Sequence, residues 1–253
     1  MFLFLTALRL SAFELNSVIA PVLRDLPEPE LRAGLPGPPM AVSSASEKAQ
    51  AHVRAGVAML HSAWDFEAYR HFAAAAQEDP ECLLAYWGIV MSLSGSANEF
   101  RAELPAALDR MLDLLEAEKG TKLEQGYAYA VAKLKAEGPL AAAKVYEVLA
   151  EDFPNERLAR LWAAFLKRDG YDEVGKPRLN QEKAVAEIRD LLLKHPEDHP
   201  LTAFWLLNQA EMPFSYEALS TEGLPLARRL ARLHPDFPPY LHLAGHYEWR
   251  CGN

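Results

Sequence analysis

The sequence is short of cysteine and of clustered basic residues, and each shortage excludes a class of protein. Its two cysteines, Cys82 and Cys251, form no CxxC or other metal-spaced pair, so neither a disulfide framework nor a cysteine zinc site underlies the fold. The formal net charge is −9, and the basic residues are scattered along the chain. Because nucleic-acid binding needs basic side chains that neutralise phosphates, we expect no nucleic-acid partner.

Signatures of catalysis and of cofactor binding are also missing. The sequence contains no GxSxG nucleophile motif, no P-loop and no GxGxxG loop. Neither cysteine lies in a recognisable catalytic context, and paired acids such as Glu116 and Glu118 are typical of solvated helix faces. The sequence therefore predicts a protein that is not an enzyme and that holds no cofactor.

Apolar runs long enough to cross a bilayer are missing too, so we expect no stable transmembrane span. The most apolar stretch, residues 1–20, lacks a basic start, is interrupted by Arg9 and contains Glu14. Three interpretations of it stay open: a degenerate or mis-started signal peptide, a packed N-terminal helix, or a weak membrane anchor. The first slightly favours an exported or periplasmic location over a cytoplasmic one.

Residues 21–43 are predicted to be an extended linker, because residues 27–42 alone contain five prolines and two glycines. The folded domain is predicted to span residues 44–253. Ser44 and Glu47 have the spacing of a capping box, which predicts the start of its first helix.

Alanine and leucine are abundant in this domain and β-branched residues are sparse, which favours an all-α fold. Apolar residues recur with helical spacing between short breaks. The predicted helices cover residues 46–61, 65–78, 81–94, 101–118, 121–136, 139–151, 155–168, 180–194, 199–211, 222–233 and 238–250.

A repeating unit is clearest in residues 56–88, where two amphipathic segments are joined by a short turn. The positions that define it are Gly56, Ala68, Phe72, Ala75 and Pro80. Further prolines that end helices are Pro154, Pro196 and Pro235, and a tryptophan follows each of the four prolines in the next helix. These tryptophans, which we expect to pack between repeats, are Trp87, Trp162, Trp205 and Trp249.

This pattern resembles the tetratricopeptide repeat (TPR) family, in which small residues lie where two helices touch and a proline closes the unit. The stretch EAYRHFAAAAQEDPECLLAYWGIVMSL is similar to a group of bacterial TPR-containing proteins. The resemblance implies a right-handed α-solenoid of stacked helix-turn-helix repeats. Because the sequence stops at Asn253, after what would be the first helix of a unit, we expect the domain to be truncated within its last repeat.

A solenoid of this kind predicts a protein-protein interaction scaffold that binds a peptide or partner segment in its concave groove. The groove positions should lie on the first helix of each unit. The candidates are His52, Tyr86, Asn98, Tyr127, Asn208 and Tyr240. A structural spacer within a larger assembly is an alternative, and the sequence makes no prediction of oligomeric state.

The late histidines suggest a second alternative, a metal-binding protein or metal-dependent enzyme. His242 and His246 lie four residues apart, so a helix places both rings on one face, and His199 and Glu211 could join them. The bacterial proteins carry further histidines where this chain has Phe204 and Asn208, and this difference weakens the prediction.

Overall fold

The computed structural model describes residues 14–32, 34, 40–95, 99–210 and 219–253. Four sequence predictions fall wholly or partly on other residues: the segment 1–13 of the apolar N-terminus, residues 33 and 35–39 of the linker, Asn98 in the groove and Glu211 among the metal ligands. The described part is all-helical, and its helices pack in chain order against their neighbours. They are α1 (Pro21–Arg24), α2 (Glu47–Leu60), α3 (Asp65–Glu78), α4 (Leu83–Leu93), α5 (Glu103–Glu116), α6 (Lys122–Glu137), α7 (Pro139–Asp152), α8 (Arg157–Leu166), α9 (Leu179–Lys194), α10 (His199–Ala210), α11 (Leu224–Leu233) and α12 (Pro238–Arg250).

Every helix predicted for the domain is present, with ends within a few residues of those expected. The start of α2 corrects one detail. Its cap is Ser46, whose hydroxyl accepts a hydrogen bond from the backbone N–H of Ala49, whereas Ser44 donates to Asp79. A capping box does occur at the start of α6, where Thr121 and Glu124 each accept from the other's backbone N–H.

The four prolines do end helices, as predicted. Each follows the last helical residue by two positions, after α3, α7, α9 and α11. Proline cannot donate the backbone hydrogen bond that a further helical turn would need, and it also disfavours helix in the residue before it. No helix in the described part of the chain is long and apolar enough to cross a membrane.

Phe72 occupies the centre of the first three long helices. Its ring lies against Gly56 of α2 and Gly88 of α4, where added Cβ atoms would meet the ring at 2.8 and 2.2 Å. Ala68 and Ala75 on the same helix are fully buried. The small residues that define the repeat therefore allow the close helix contacts that the sequence predicted.

Trp87 extends this core along the chain. Its ring packs edge-on against Phe72 and Tyr127, and its indole N–H donates to Tyr146 at 3.4 Å. Trp162 and Trp205 are also buried, which agrees with the prediction for them. Trp249 is 76% exposed, so the prediction that it packs between repeats is wrong. The buried stripe of α12 runs through Tyr240, Leu243 and Tyr247, and Trp249 lies off that stripe.

Residues 18–20, at the end of the apolar N-terminal segment, pack on α3, and residues 21–32 of the predicted linker follow them with mostly exposed side chains. Val18, Ile19 and Ala20 are buried. The Tyr69 hydroxyl donates to the Val18 carbonyl and accepts from the Ala20 N–H, each at 2.8 Å. Because these apolar side chains and backbone groups find partners on α3, the segment does not extend freely from the domain.

The first helical hairpin also contacts helices that lie much later in the chain. His61, which follows the last residue of α2, packs edge-on against Trp162 of α8 and Phe204 of α10, with ring centroids 5.8 and 5.6 Å apart. Arg32 donates to the Asp236 carbonyl at 3.0 Å, just before α12. The chain therefore curls back on itself, and the turn between α2 and α3 meets the starts of α8, α10 and α12.

Candidate functional site

The side chains predicted to line a concave groove are packed inside the molecule. Four are fully buried and the fifth is 3% exposed; they are His52, Tyr86, Tyr127, Asn208 and Tyr240. Internal contacts use several of their polar atoms: the Tyr127 hydroxyl donates to Glu156, and the Asn208 amide donates to the Phe204 carbonyl. The side chains of these five residues therefore do not line an open surface.

The late histidines form two pairs. His199 Nδ1 lies 2.7 Å from His234 Nε2, and His242 Nε2 lies 2.9 Å from His246 Nε2. Burial lowers the pKa of both His199 and His234, so this pair favours neutral rings joined by one hydrogen bond.

A metal site that combines His199, His242 and His246 does not form among these residues. Within residues 14–32, 40–95, 99–210 and 219–253, no three His, Cys, Asp or Glu side chains lie close enough to hold a metal ion. Each histidine pair supplies two ligands, fewer than a protein zinc site normally uses.

The turn between α2 and α3 presents a groove that the sequence analysis did not identify. The Trp64 N–H donates to the Met59 carbonyl and the Ala63 N–H to the Leu60 carbonyl, which is the Schellman pattern that ends many helices. Ala63 takes the left-handed position with φ 54°, where glycine is usual. The turn directs the chain so that Trp64 stays partly exposed at the surface, at 38%.

The opposite wall of this groove is the first turn of α12. Pro238 and Pro239 start that helix, where a missing backbone N–H removes no intrahelical hydrogen bond. The space enclosed is about 370 Å³. We call it the Trp64 groove, and its lining residues are Ser62, Ala63, Trp64, Pro238, Pro239 and His242.

In comparisons with known proteins, no family model matches the chain, and neither does any curated protein or solved structure. Its function must therefore be argued from its own residues.

A second, smaller cavity lies on the inner side of the same turn, and His61 forms part of its wall. The cavity measures about 40 Å³ and is lined by the starts of α8 and α10, including Asn155, Glu156, Arg157 and Asp198. The His61 side chain is 1% exposed, and neither ring nitrogen has a hydrogen-bond partner among the described residues. An unsatisfied buried polar atom costs about 1–3 kcal/mol, so this arrangement is unusual.

His52 and His71 form a further buried histidine pair, beneath residues 14–32. His52 Nε2 lies 3.0 Å from Glu28, and His52 Nδ1 lies 3.1 Å from His71 Nδ1. Burial outweighs the Glu28 carboxylate and lowers the pKa of His52, and it lowers the pKa of His71 to about 3. Neutral rings then fit one arrangement, in which His52 donates to Glu28 and His71 donates to His52.

The sequence did hold a signal for His61 and Trp64. Both continue the apolar face of α2 set by Val57 and Leu60, so a histidine stood in a position that should be buried. Their partners could not be read from that pattern, because α8, α10 and α12 lie much later in the chain.

Proposed function

We propose that this chain is a non-catalytic binding protein with a TPR-like, right-handed α-solenoid fold, and that its partner segment docks in the Trp64 groove. The consecutive hairpins, the glycines at helix contacts and the prolines that end helices support the TPR-like fold. The burial of His52, Tyr86, Tyr127, Asn208 and Tyr240 argues against docking in a concave groove.

The exposed Trp64 ring is the observation that carries the proposed docking site. Large aromatic residues in grooves dominate the binding free energy of many interfaces, and tryptophan is prominent among them. Pro238 and Pro239 add apolar surface to the groove. Their rings are already rigid, so they lose little conformational entropy when a partner binds. A groove of about 370 Å³ accommodates one or two side chains of an extended segment.

We expect a partner segment that combines an apolar anchor residue with basic neighbours. The chain carries a net charge of −9, which attracts cationic segments over a distance and repels acidic ones. Within the described residues, neither late histidine pair has a third His, Cys, Asp or Glu ligand beside it that would favour the metal-dependent alternative. We therefore propose no second function.

Selection of peptides from a random phage-displayed library on the immobilised chain tests this proposal. We expect enriched peptides to share an apolar residue flanked by Lys or Arg. Affinity for a synthetic enriched peptide should fall about tenfold or more in Trp64→Ala, because the main anchor contact is lost. Fluorescence anisotropy of a labelled peptide measures that affinity.

Leu140→Ala is the matched control, because Leu140 is a 61% exposed apolar residue on α7 and lies outside the Trp64 groove. This variant should bind the peptide as the original chain does. Equal affinity in Trp64→Ala and the original chain, or equal losses in both variants, would contradict docking in the Trp64 groove.

A further inference from the structure

His242 and His246 lie on the part of α12 that faces solvent, outside its buried stripe of Tyr240, Leu243 and Tyr247. The two histidines are four residues apart, which makes their side chains neighbours on the helix surface. Their ring centroids are 4.5 Å apart, their ring planes meet at 81°, and the two Nε2 atoms are 2.9 Å apart. The helix therefore presents two imidazole nitrogens side by side, where solutes can reach them.

The distance between the two Nε2 atoms suits two ligands of one metal ion. Two nitrogens that bind an ion at right angles, each about 2.0 Å from it, lie about 2.8 Å apart, whereas tetrahedral ligands lie about 3.3 Å apart. In the hydrogen-bonded pair one Nε2 carries the proton, so metal binding requires both rings to turn slightly and to carry their protons on Nδ1. Both side chains are exposed, so this turn needs little repacking.

Copper(II) is the ion that this pair suits best. It prefers a tetragonal arrangement with ligands at right angles, and it binds imidazole nitrogen more tightly than the other divalent ions of its row do. Zinc prefers a tetrahedral site with three or four protein ligands. Within the described residues no third His, Cys, Asp or Glu lies beside the pair, so the remaining positions on the ion are left to water.

The pair formed by His199 and His234 is less suited to a cation. His199 is the first residue of α10, where the helix dipole places partial positive charge. Burial, and then the charge of Arg229, lower the pKa of His199. On α12 the only Lys or Arg is Arg250, one turn after His246, and the partial negative charge of that helix end offsets part of its repulsion. The net charge of −9 also favours a cation.

We infer that His242 and His246 bind one copper(II) ion on the surface of α12, with Nε2 of each ring as a ligand and water in the other positions. Neither ring alone holds the ion tightly, because the second ligand gains from being held beside the first. His242 also lines the Trp64 groove, so the ion lies at the edge of that groove. The inference is independent of the proposed function, because copper binding requires no partner segment.

Calorimetric titration of the full chain with copper(II), in a buffer that does not bind copper, tests the inference. Every chain carries Cys251→Ser, because Cys251 is a partly exposed thiol near the site and thiols react with copper. We expect one copper(II) per chain, and zinc should bind about tenfold or more weakly. Electron paramagnetic resonance of the complex should show a tetragonal copper(II) signal with two nitrogen ligands.

Substitutions at exposed positions separate the pair from histidine content in general. His242→Ala and His246→Ala should each weaken copper binding about tenfold or more, because one ligand remains. His195→Ala removes a partly exposed histidine elsewhere and should leave binding unchanged. The matched variant combines His242→Ala with Leu241→His, at a 47% exposed position. It keeps the number of histidines but moves one ring about 100° around the helix, so it should bind as weakly as His242→Ala.

Four outcomes would overturn the inference. The Cys251→Ser chain could bind copper no more tightly than its His242→Ala or His246→Ala variant does. The variant with Leu241→His could keep the full affinity, which would mean that the spacing of the two rings does not matter. Zinc could bind as tightly as copper. The resonance signal could show fewer than two nitrogen ligands.

Discussion

Phe72 shows how a single side chain sets the spacing of three helices. Its ring fills the gap between Gly56 and Gly88, and it is fully buried, so it has no free space to move into. In Gly88→Ala the new Cβ would lie 2.2 Å from the ring. Overpacking of this kind lowers the unfolding free energy by about 1–3 kcal/mol, and the better helix propensity of alanine raises it by up to about 1 kcal/mol. We expect a net loss of about 1–2 kcal/mol in the unfolding free energy, measured by urea denaturation.

Gly245→Ala is the control for this substitution, because Gly245 lies inside α12 with no atom near the added Cβ. There the change should raise the unfolding free energy by about 0.5–1 kcal/mol through helix propensity alone. A Gly88→Ala variant that is as stable as Gly245→Ala would show that the ring of Phe72 is not held between the two helices.

The turns that end α2 and α5 share an unusual feature at the scale of the element. Ala63 and Glu118 both take the left-handed position of a Schellman turn, each with φ 54°. A side chain there costs about 1–2 kcal/mol, and glycine avoids the strain but loses more backbone entropy on folding. We expect Ala63→Gly and Glu118→Gly each to raise the unfolding free energy by about 0.5 kcal/mol, measured by urea denaturation.

The neighbouring position Ala117 provides the control for the turns. Its φ is −79°, an ordinary value, so Ala117→Gly should lower the unfolding free energy by about 0.5–1 kcal/mol. A stabilising effect there, or none at Ala63 and Glu118, would indicate that the positive φ angles carry no strain.

The helices could be predicted because their signals are local in the sequence, whereas the sites depend on contacts between distant parts of the chain. The helices follow from the apolar period, and Pro80 and its equivalents end them within the same stretch of chain. The Trp64 groove and the small cavity beside His61 form only when the turn after α2 meets α8, α10 and α12. The burial of Tyr127 likewise depends on Trp87 of α4 and Tyr146 of α7, and no period within one helix encodes those contacts.

At the scale of the whole molecule, the chain buries several histidines in neutral form. His61 lies where α2 meets α8 and α10, and His52 and His71 lie where residues 14–32 cover α2 and α3. Burial lowers the pKa of all three histidines. The pKa of His61 and the pKa of His71 each fall to about 3. Protonation of any of these rings would place a charge in the interior, where it lacks water.

This burial makes the stability of the whole chain depend on pH in a definite direction. Above about pH 6.5 these histidines are neutral in both states, so their contribution is fully present. As pH falls below 6.5, His61 and His71 become protonated in the unfolded chain. In the folded chain the same two rings stay neutral until about pH 3, because burial lowers their pKa. Each ring should therefore lower the unfolding free energy by up to about 1.4 kcal/mol per pH unit in that window.

Urea denaturation at pH 7, 6 and 5 measures this dependence, in a range above the titration of most carboxylates. His61→Phe and His71→Phe should each reduce the slope between pH 6 and 5 by about 1.2 kcal/mol per unit, whatever they do to the stability at pH 7. His195→Phe is the control, because His195 is partly exposed and lines neither buried cluster. If both buried substitutions left the slope as it is in the original chain, the two rings would not be held neutral by the folded structure.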